Sequence, residues 1–279
     1  MPKINIIIRS RNDFNYIKKT LNNILYQKKI DFEILSFDNA STDGTKEIIS
    51  QYENIRSFPI LEGDYIPGKA LNYAFKQCSA EIIVFNNSDS IPVNEFWLEN
   101  LIAPLLTGEA QATYARQLPR SDAFPWVKRD YARAFSDKPL SDTFFSLVSA
   151  ATTREVLERF PFDSQISYSE DVYWAKTLRD SGLKIAYTPN SIVEHSHNYT
   201  IEQVRKRFYG EGYADGEIWK KRQSYSAYIK GVVGGMLRDF LWLLKTNQAT
   251  QLFPCSRYRL VQKSSYRKGL KSYFKENQI

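Results

Sequence analysis

A chain of 279 residues with 43% hydrophobic and 14% aromatic content has ample material for a large core, which excludes the disordered and fibrous classes. Cys78 and Cys255 have neither the number nor the spacing of a disulfide framework or a zinc site, and the short run after Lys3 does not form a secretory signal, so the cytoplasm is the expected compartment. The net charge of +7 is gathered at one end: residues 201–279 hold 16 Lys and Arg against 6 Asp and Glu, whereas residues 1–200 hold 22 against 25.

Ile4 to Arg9 reads as a buried strand, after which Phe14, Ile17, Leu21, Ile24 and Leu25 recur at helical spacing. Phe32 to Phe37 reads as a second strand. The following SFDNASTDGT supplies a turn and helix N-caps before a helix whose apolar face carries Ile48, Ile49 and Tyr52. A third helix is expected from about Lys69 to Cys78 and another strand from Glu81 to Phe85. This alternation predicts an α/β fold with a mostly parallel central sheet and right-handed crossovers.

Beyond Asp89 the regularity fades. A helix is expected near Asn94 to Leu106 and a strand near Ala112 to Ala115, while the Pro-containing stretch from Leu118 to Leu140 takes no assignment and has the character of a lid or substrate loop. A helix then carries Asp171 to Ser181, Gly182 ends it, and Leu183 to Tyr187 reads as a strand. No internal repeat or low-complexity stretch is visible.

Carboxylates punctuate this pattern. Asp38 and Asp89 follow apolar runs and so stand outside the carboxyl ends of strands, where open α/β sheets bind ligands; the Glu170-Asp171 pair opens a helix. Acidic groups gathered there suit a metal ion, a nucleotide and a proton acceptor. Each also has a plainer reading, since Asp38 and Asp43 can cap a turn, Asn-x-Asp before Ile-Pro can be an ordinary turn, and two acids at a helix start favour its dipole.

DNASTDGT, GKALNYAF, NNSDSIP, YSEDVYWAKTLRDSGLKIAYTP and HSHNYT, in that order over roughly residues 3–200, resemble the family 2 glycosyltransferases with the GT-A (Rossmann-like) fold. YARQLPR, NSD and HSHNYT are most similar to bacterial rhamnosyltransferase-type members that build surface polysaccharide. The resemblance implies a catalytic domain over residues 1–200, with a nucleotide-binding half to about residue 90 and an acceptor-binding half after it, followed by a helical basic extension over residues 201–279. It implies an inverting transfer from a nucleotide-diphosphate sugar, dTDP-rhamnose or a UDP-sugar, to a hydroxyl of a glycan or lipid-linked acceptor.

Carried over residue by residue, the resemblance assigns the nucleoside to Arg9, Ser10, Arg11, Asp38 and Asn39, and the diphosphate to Asn87, Ser88 and Asp89; Lys69, in GKALN at a helix N-terminus, could contact phosphate or Asp89. Asn39 and Asn87 stand where many relatives carry Asp, which makes the site less acidic than the family pattern. A divalent cation, Mg²⁺ or Mn²⁺, is implied at Asp89 with His195 and His197, the only two histidines, which share a face if the chain there is extended. Asp171 is implied as the general base and Glu170 as a group that orients substrate. Arg116, Gln117 and Trp174 are candidates for the acceptor, although core is the favoured reading of Trp174 and Tyr173; Arg120, just beyond, offers a further planar donor, and Arg116, Gln117 and Arg120 could equally form surface ion pairs.

In the extension, Tyr228, Ile229, Val232, Val233, Met236, Leu237, Phe240, Leu241, Leu243 and Leu244 make a helical stripe interrupted by Lys230, Arg238 and Asp239. Those charges and Gly234-Gly235 exclude a membrane span and leave two options, a helix docked on protein or an interfacial helix whose basic rim meets an anionic membrane surface. Rival functions fit less well. A nucleotidyltransferase making sugar nucleotides would carry a glycine-rich loop where IRSRND has none, and a dinucleotide oxidoreductase would need G-x-G-x-x-G there. A basic binding module for nucleic acid gives no reason for Asp89, Asp171 and the histidines, so no nucleic-acid partner is expected.

Overall fold

A computed structural model describes residues 2–28, 30–60 and 65–278. Its elements run β1 (Ile4–Ser10), α1 (Phe14–Leu25), β2 (Phe32–Asp38), α2 (Thr45–Ile49), β3 (Ile55–Pro59), α3 (Pro67–Lys76), β4 (Ile82–Asn87), β5 (Ile91–Pro92), α4 (Trp97–Leu106) and β6 (Ala112–Leu118). They continue with α5 (Pro125–Ala134), β7 (Ser149–Thr153), α6 (Arg154–Arg159), α7 (Glu170–Asp180), β8 (Ile185–Glu194), α8 (Ile201–Trp219), α9 (Tyr225–Lys245) and α10 (Leu252–Glu276). The chain divides into two compact units. One takes in Met1–Arg120, Ala134–Gln165 and Glu170–His195, the other Ser121–Arg133, Ile166–Ser169 and Ser196–Ile279.

The first unit is built on one sheet of order β3-β2-β1-β4-β7-β6-β8-β5. Strands β3, β2, β1 and β4 are parallel neighbours, β7 runs antiparallel to both β4 and β6, β6 and β8 are parallel, and the short β5 closes the edge antiparallel to β8. Both faces are covered, so β1 reads as an apolar run broken only by Asn5 before Arg9. Ile4, Ile6 and Ile8 pack with Ile17, Leu21 and Ile24 of α1 and with Trp97 and Leu101 of α4. Ile7 points to the opposite face among Leu35, Phe37, Leu71, Phe85 and Trp174.

The alternating order expected for the first ninety residues is the order observed. Three features lay beyond local pattern. Strand β7, SAATT, has no large apolar residue; its small side chains lie buried in the middle of the sheet, where the Trp97 indole N–H donates to the Ser149 hydroxyl at 2.9 Å. Strand β8 extends to Glu194, well past Tyr187, and a register shift at Ala115/Arg116 realigns it with β6, itself longer than expected. The unassigned stretch contains α5, whose Trp126 and Val127 are buried against Val204, Leu243 and Tyr258 of the helical unit, a core that no local periodicity announces.

The second unit is helical. Thr200 and Gln203 form a reciprocal capping box that starts α8. Helices α8 and α10 then touch backbone to backbone: a Cβ at Gly212 would lie 2.0 Å from the Tyr266 carbonyl oxygen, and one at Gly269 2.0 Å from that of Tyr209. Beside this crossing, Arg259 of α10 is clamped by Asp239 of α9 (Nε to Oδ2 2.8 Å) and by Asp130 of α5 (Nη1 to Oδ2 3.1 Å), while Arg129 reaches Asp239 at 3.0 Å. Among the described residues no helix is long and apolar enough to cross a membrane.

Candidate active site

The carboxyl ends of β1, β2 and β4 lie side by side, with Ser10 level with Asp38 and Arg9 level with Asn87. Asp38 is buried and its oxygens accept from the Ser10 hydroxyl (2.8 Å), the Ser41 N–H (2.8 Å) and the Ser41 hydroxyl (2.6 Å), with Lys46 at 3.6 Å. It therefore organises the turn. A base N–H would have to replace one of the hydroxyl donors, each of which can rotate away. The turn is braced from the β1 side, where the Asn12 N–H donates to Ser41 and the Asn12 amide oxygen accepts from Thr42, both at 2.9 Å. Asn12 and Ala40 take left-handed backbone, φ 57° and 51°, to make this loop-to-loop contact. Asn39 donates its N–H to the Ser10 carbonyl; Arg11 and Lys69, the latter in the first turn of α3, are exposed.

Past β4, the three residues of the diphosphate candidate do different things. Asn87 accepts from Arg9 Nη2 at 3.1 Å, and Arg9 Nη1 lies 3.6 Å from Glu170 Oε1, so one guanidinium ties this loop to the start of α7. An aspartate at position 87 would compete with Glu170 for that cation. The Ser88 hydroxyl donates to the Asp13 carboxylate. Asp13 is the N-cap of α1 yet makes no side-chain cap; it reaches across to Ser88, and burial pushes its carboxyl above the usual range. Sequence reasoning missed it, although an Asp at a helix start just after a strand was a visible signal.

Asp89 is almost wholly buried. Its Oδ2 lies 3.3 Å from Arg120 Nη2 and 3.6 Å from His195 Nε2, and the Arg120 guanidinium stacks 3.9 Å above the Tyr16 ring. Gln117 explains the histidine's orientation. Its amide N–H donates to Ser146 (2.8 Å), which turns its oxygen to His195 Nδ1 at 3.0 Å. With that proton on Nδ1, the Nε2 lone pair faces the Asp89 carboxylate. A carboxylate oxygen and an imidazole nitrogen turned toward each other, buried and too far apart for a hydrogen bond, fit a shared divalent cation. Gln117, expected at the acceptor, is buried and orients His195 instead. His197 opens the second unit, its ring stacked on Tyr199 with centroids 5.1 Å apart.

The carboxylate pair opens α7, directly after Ser169 in left-handed backbone at φ 59°. Asp171 accepts from the Leu147 N–H (3.2 Å) and the Val172 N–H (2.9 Å), which fixes its plane. Burial raises both carboxyls, Asp171 in spite of those backbone donors and Glu170 to about 7, with the neighbouring Asp171 charge adding to the effect and Arg9 opposing it. Trp174, offered as an acceptor-stacking residue, is core: it is 2% exposed, its ring stacks on Phe162, and its indole N–H donates to the Phe160 carbonyl. One helical turn beyond Glu170, its side chain points into the sheet face. Arg116 lies at the β6 irregularity, paired with Asp137 at 2.8 Å.

Glu170 makes a testable contribution to stability. Its folded value of about 7 exceeds the ordinary 4.5, so the folded state holds the proton more tightly, and stability is lost as pH rises from about 4.5 to about 7. Glu170→Gln is expected to gain on the parent by up to ~3 kcal/mol across that window and by nothing further above it. Thermal melts of both proteins from pH 4.5 to 8 measure this, and a difference that does not change with pH excludes the raised carboxyl.

The family model for glycosyl transferase family 2 matches residues 5–162. The chain is 28% identical over 224 residues to the O-antigen chain rhamnosyltransferase RfbN of Salmonella typhimurium, covering 75% of this chain and 71% of that one. Its fold is that of the mannosyltransferase PcManGT from Pyrobaculum calidifontis, solved in complex with GDP-Man and Mn²⁺ (TM-score 0.70, 17% identity, 99% of this chain and 88% of that one). The S. aureus protein TarS 1–349 in complex with UDP-GlcNAc is also similar (TM-score 0.59, 16% identity, 98% and 92%). A family match over more than half of the sequence, on a sheet of the GT-A type, means that the chain belongs to glycosyl transferase family 2.

Proposed function

We propose that this glycosyltransferase moves a sugar, with inversion at the anomeric carbon, from a nucleotide-diphosphate donor to a hydroxyl of a glycan or lipid-linked acceptor during synthesis of a bacterial surface polysaccharide. The donor is dTDP-rhamnose or a UDP-sugar, the first favoured by the similarity to a rhamnosyltransferase. The proposed compartment is the cytoplasm. The observation that carries the reading is the half-buried Glu170-Asp171 pair, linked through Arg9 to Asn87, two residues before Asp89.

Each group then has a task. Arg9, Ser10, Arg11, Asp38 and Asn39 hold the nucleoside, and Ser88 and Lys69 take phosphate oxygens. Asp89 and His195, with His197 two residues on, hold Mg²⁺ or Mn²⁺, which offsets the charge of the diphosphate. Arg120, pressed on Tyr16 beside Asp89, adds a fixed positive charge at the same end. Asp171 takes the proton of the acceptor hydroxyl; the oxygen bonds to the anomeric carbon from the face opposite the leaving group. The carbon–oxygen bond to phosphate breaks and the nucleoside diphosphate leaves with the electron pair. Glu170 and Arg9 keep the base and the donor loop in register, and Arg116 is the remaining acceptor contact.

Nucleotide release measured across dTDP-rhamnose, UDP-sugars and GDP-mannose identifies the donor; release from none of them, with Mg²⁺ or Mn²⁺ and an acceptor extract present, defeats the proposal. Asp89→Ala is expected to weaken donor binding in the presence of either ion by at least roughly ten-fold. Titration calorimetry with and without the ion tests this, and an affinity unchanged by the substitution removes Asp89 from the cation site.

A further inference from the structure

Helix α9 has two unlike faces. Val232, Gly235, Asp239 and Leu243 are buried in the helical unit. On the other side Ile229, Val233, Leu237, Phe240, Leu241 and Leu244 follow one another at intervals that keep them on one stripe, and all are exposed, Val233, Leu237 and Leu241 by 56–59%. Phe253, in the first turn of α10, is 79% exposed with Leu252 beside it. Arg238 and Lys245 are also exposed, along one edge of the stripe, and Lys230 is exposed near its N-terminal end. Of the two options left open by the sequence, each face of α9 satisfies one.

We propose that this face lies in the surface of an anionic lipid bilayer, with the apolar stripe among the acyl chains and Lys230, Arg238 and Lys245 at the headgroups. Charge selects this occupant. Between Lys220 and Lys275 there are 13 Lys and Arg and a single acidic residue, Asp239, which is 2% exposed and held by Arg129 and Arg259. Two copies joined through this face would bring Lys230, Arg238 and Lys245 of each against those of the other with no exposed carboxylate on α9 to pair them, whereas anionic headgroups oppose all three. At 21 residues α9 is about 30 Å long, and it lacks the continuous hydropathy of a span, so it lies in the plane of the interface.

Co-sedimentation of the full chain with vesicles of phosphatidylglycerol and phosphatidylcholine, and with phosphatidylcholine alone, tests the proposal. Binding to the anionic vesicles is expected, weakening as salt is raised. The triple change Lys230→Gln, Arg238→Gln, Lys245→Gln should weaken it by roughly five-fold per charge removed. Leu237→Asp with Leu241→Asp should abolish it while leaving the melting temperature and nucleotide release from donor unchanged, because both positions are exposed. No binding of the parent to anionic vesicles overturns the proposal, as does equal binding of the double variant. A dimer in sedimentation velocity that the double variant dissolves would show that a second copy covers the face, and also overturns it. None of these outcomes bears on the assignment of the catalytic groups.

Discussion

Asp171→Asn is expected to lower turnover by about 10²- to 10⁴-fold while donor affinity stays near that of the parent. The amide keeps the size of the carboxylate and can still accept one backbone N–H, from Leu147 or Val172, but it cannot take a proton from the acceptor hydroxyl. The loss should therefore fall on kcat, with calorimetry of donor binding and the melting curve serving as controls for the local fold. Glu170→Gln discriminates between the two carboxylates. If Glu170 only positions the site, its removal should cost less than that of Asp171; if turnover survives in Asp171→Asn and vanishes in Glu170→Gln, Glu170 is the base. Because the two carboxyls are adjacent and both raised, the activity profile with pH reports the pair, and Asp171→Asn should bring the Glu170 carboxyl down toward its ordinary range.

Asp239→Ala should cost the helical unit about 3–5 kcal/mol. Asp239 and Arg259 are 2% and 3% exposed, and the aspartate also faces Arg129. Truncation would strand two guanidinium groups in a low-dielectric interior, with Asp130 alone to balance them. A fall in melting temperature on the order of 10 °C is expected, read by circular dichroism at the helical band. Replacing Asp239 and Arg259 together by Leu and Met should recover much of the loss, since the penalty comes from the unpaired charge more than from the missing bond. A melting temperature within 2 °C of the parent for Asp239→Ala, on the same order-of-magnitude scale, would mean that water reaches Arg259.

The elements that local periodicity announces are those whose faces are simple. Strand β1 is apolar on both sides because both sides are covered, and α1 shows its stripe because one face meets the sheet and the other meets water. Strand β7 was invisible for the converse reason: it fills a crowded central position with Ser, Ala and Thr. Helix α5 escaped because its buried residues serve the helical unit.

The sequence by itself determined the first ninety residues' alternation, the carboxyl-end positions of Asp38 and Asp89, the helix start at Glu170-Asp171 and the basic, helical character of the last eighty residues. Those properties depend on side-chain period and on residues a few places apart. Only the tertiary structure decided that Arg9 joins Asn87 to Glu170, that Gln117 turns His195 toward Asp89, that Asp13 bonds Ser88, and that Trp174 is core. These partners come together through strand register and helix packing, and a hydrogen-bonding side chain carries no local sign of which distant group will satisfy it. The same holds for α9, where an amphipathic stripe was legible but only packing decided which face was taken and which was left to meet another surface.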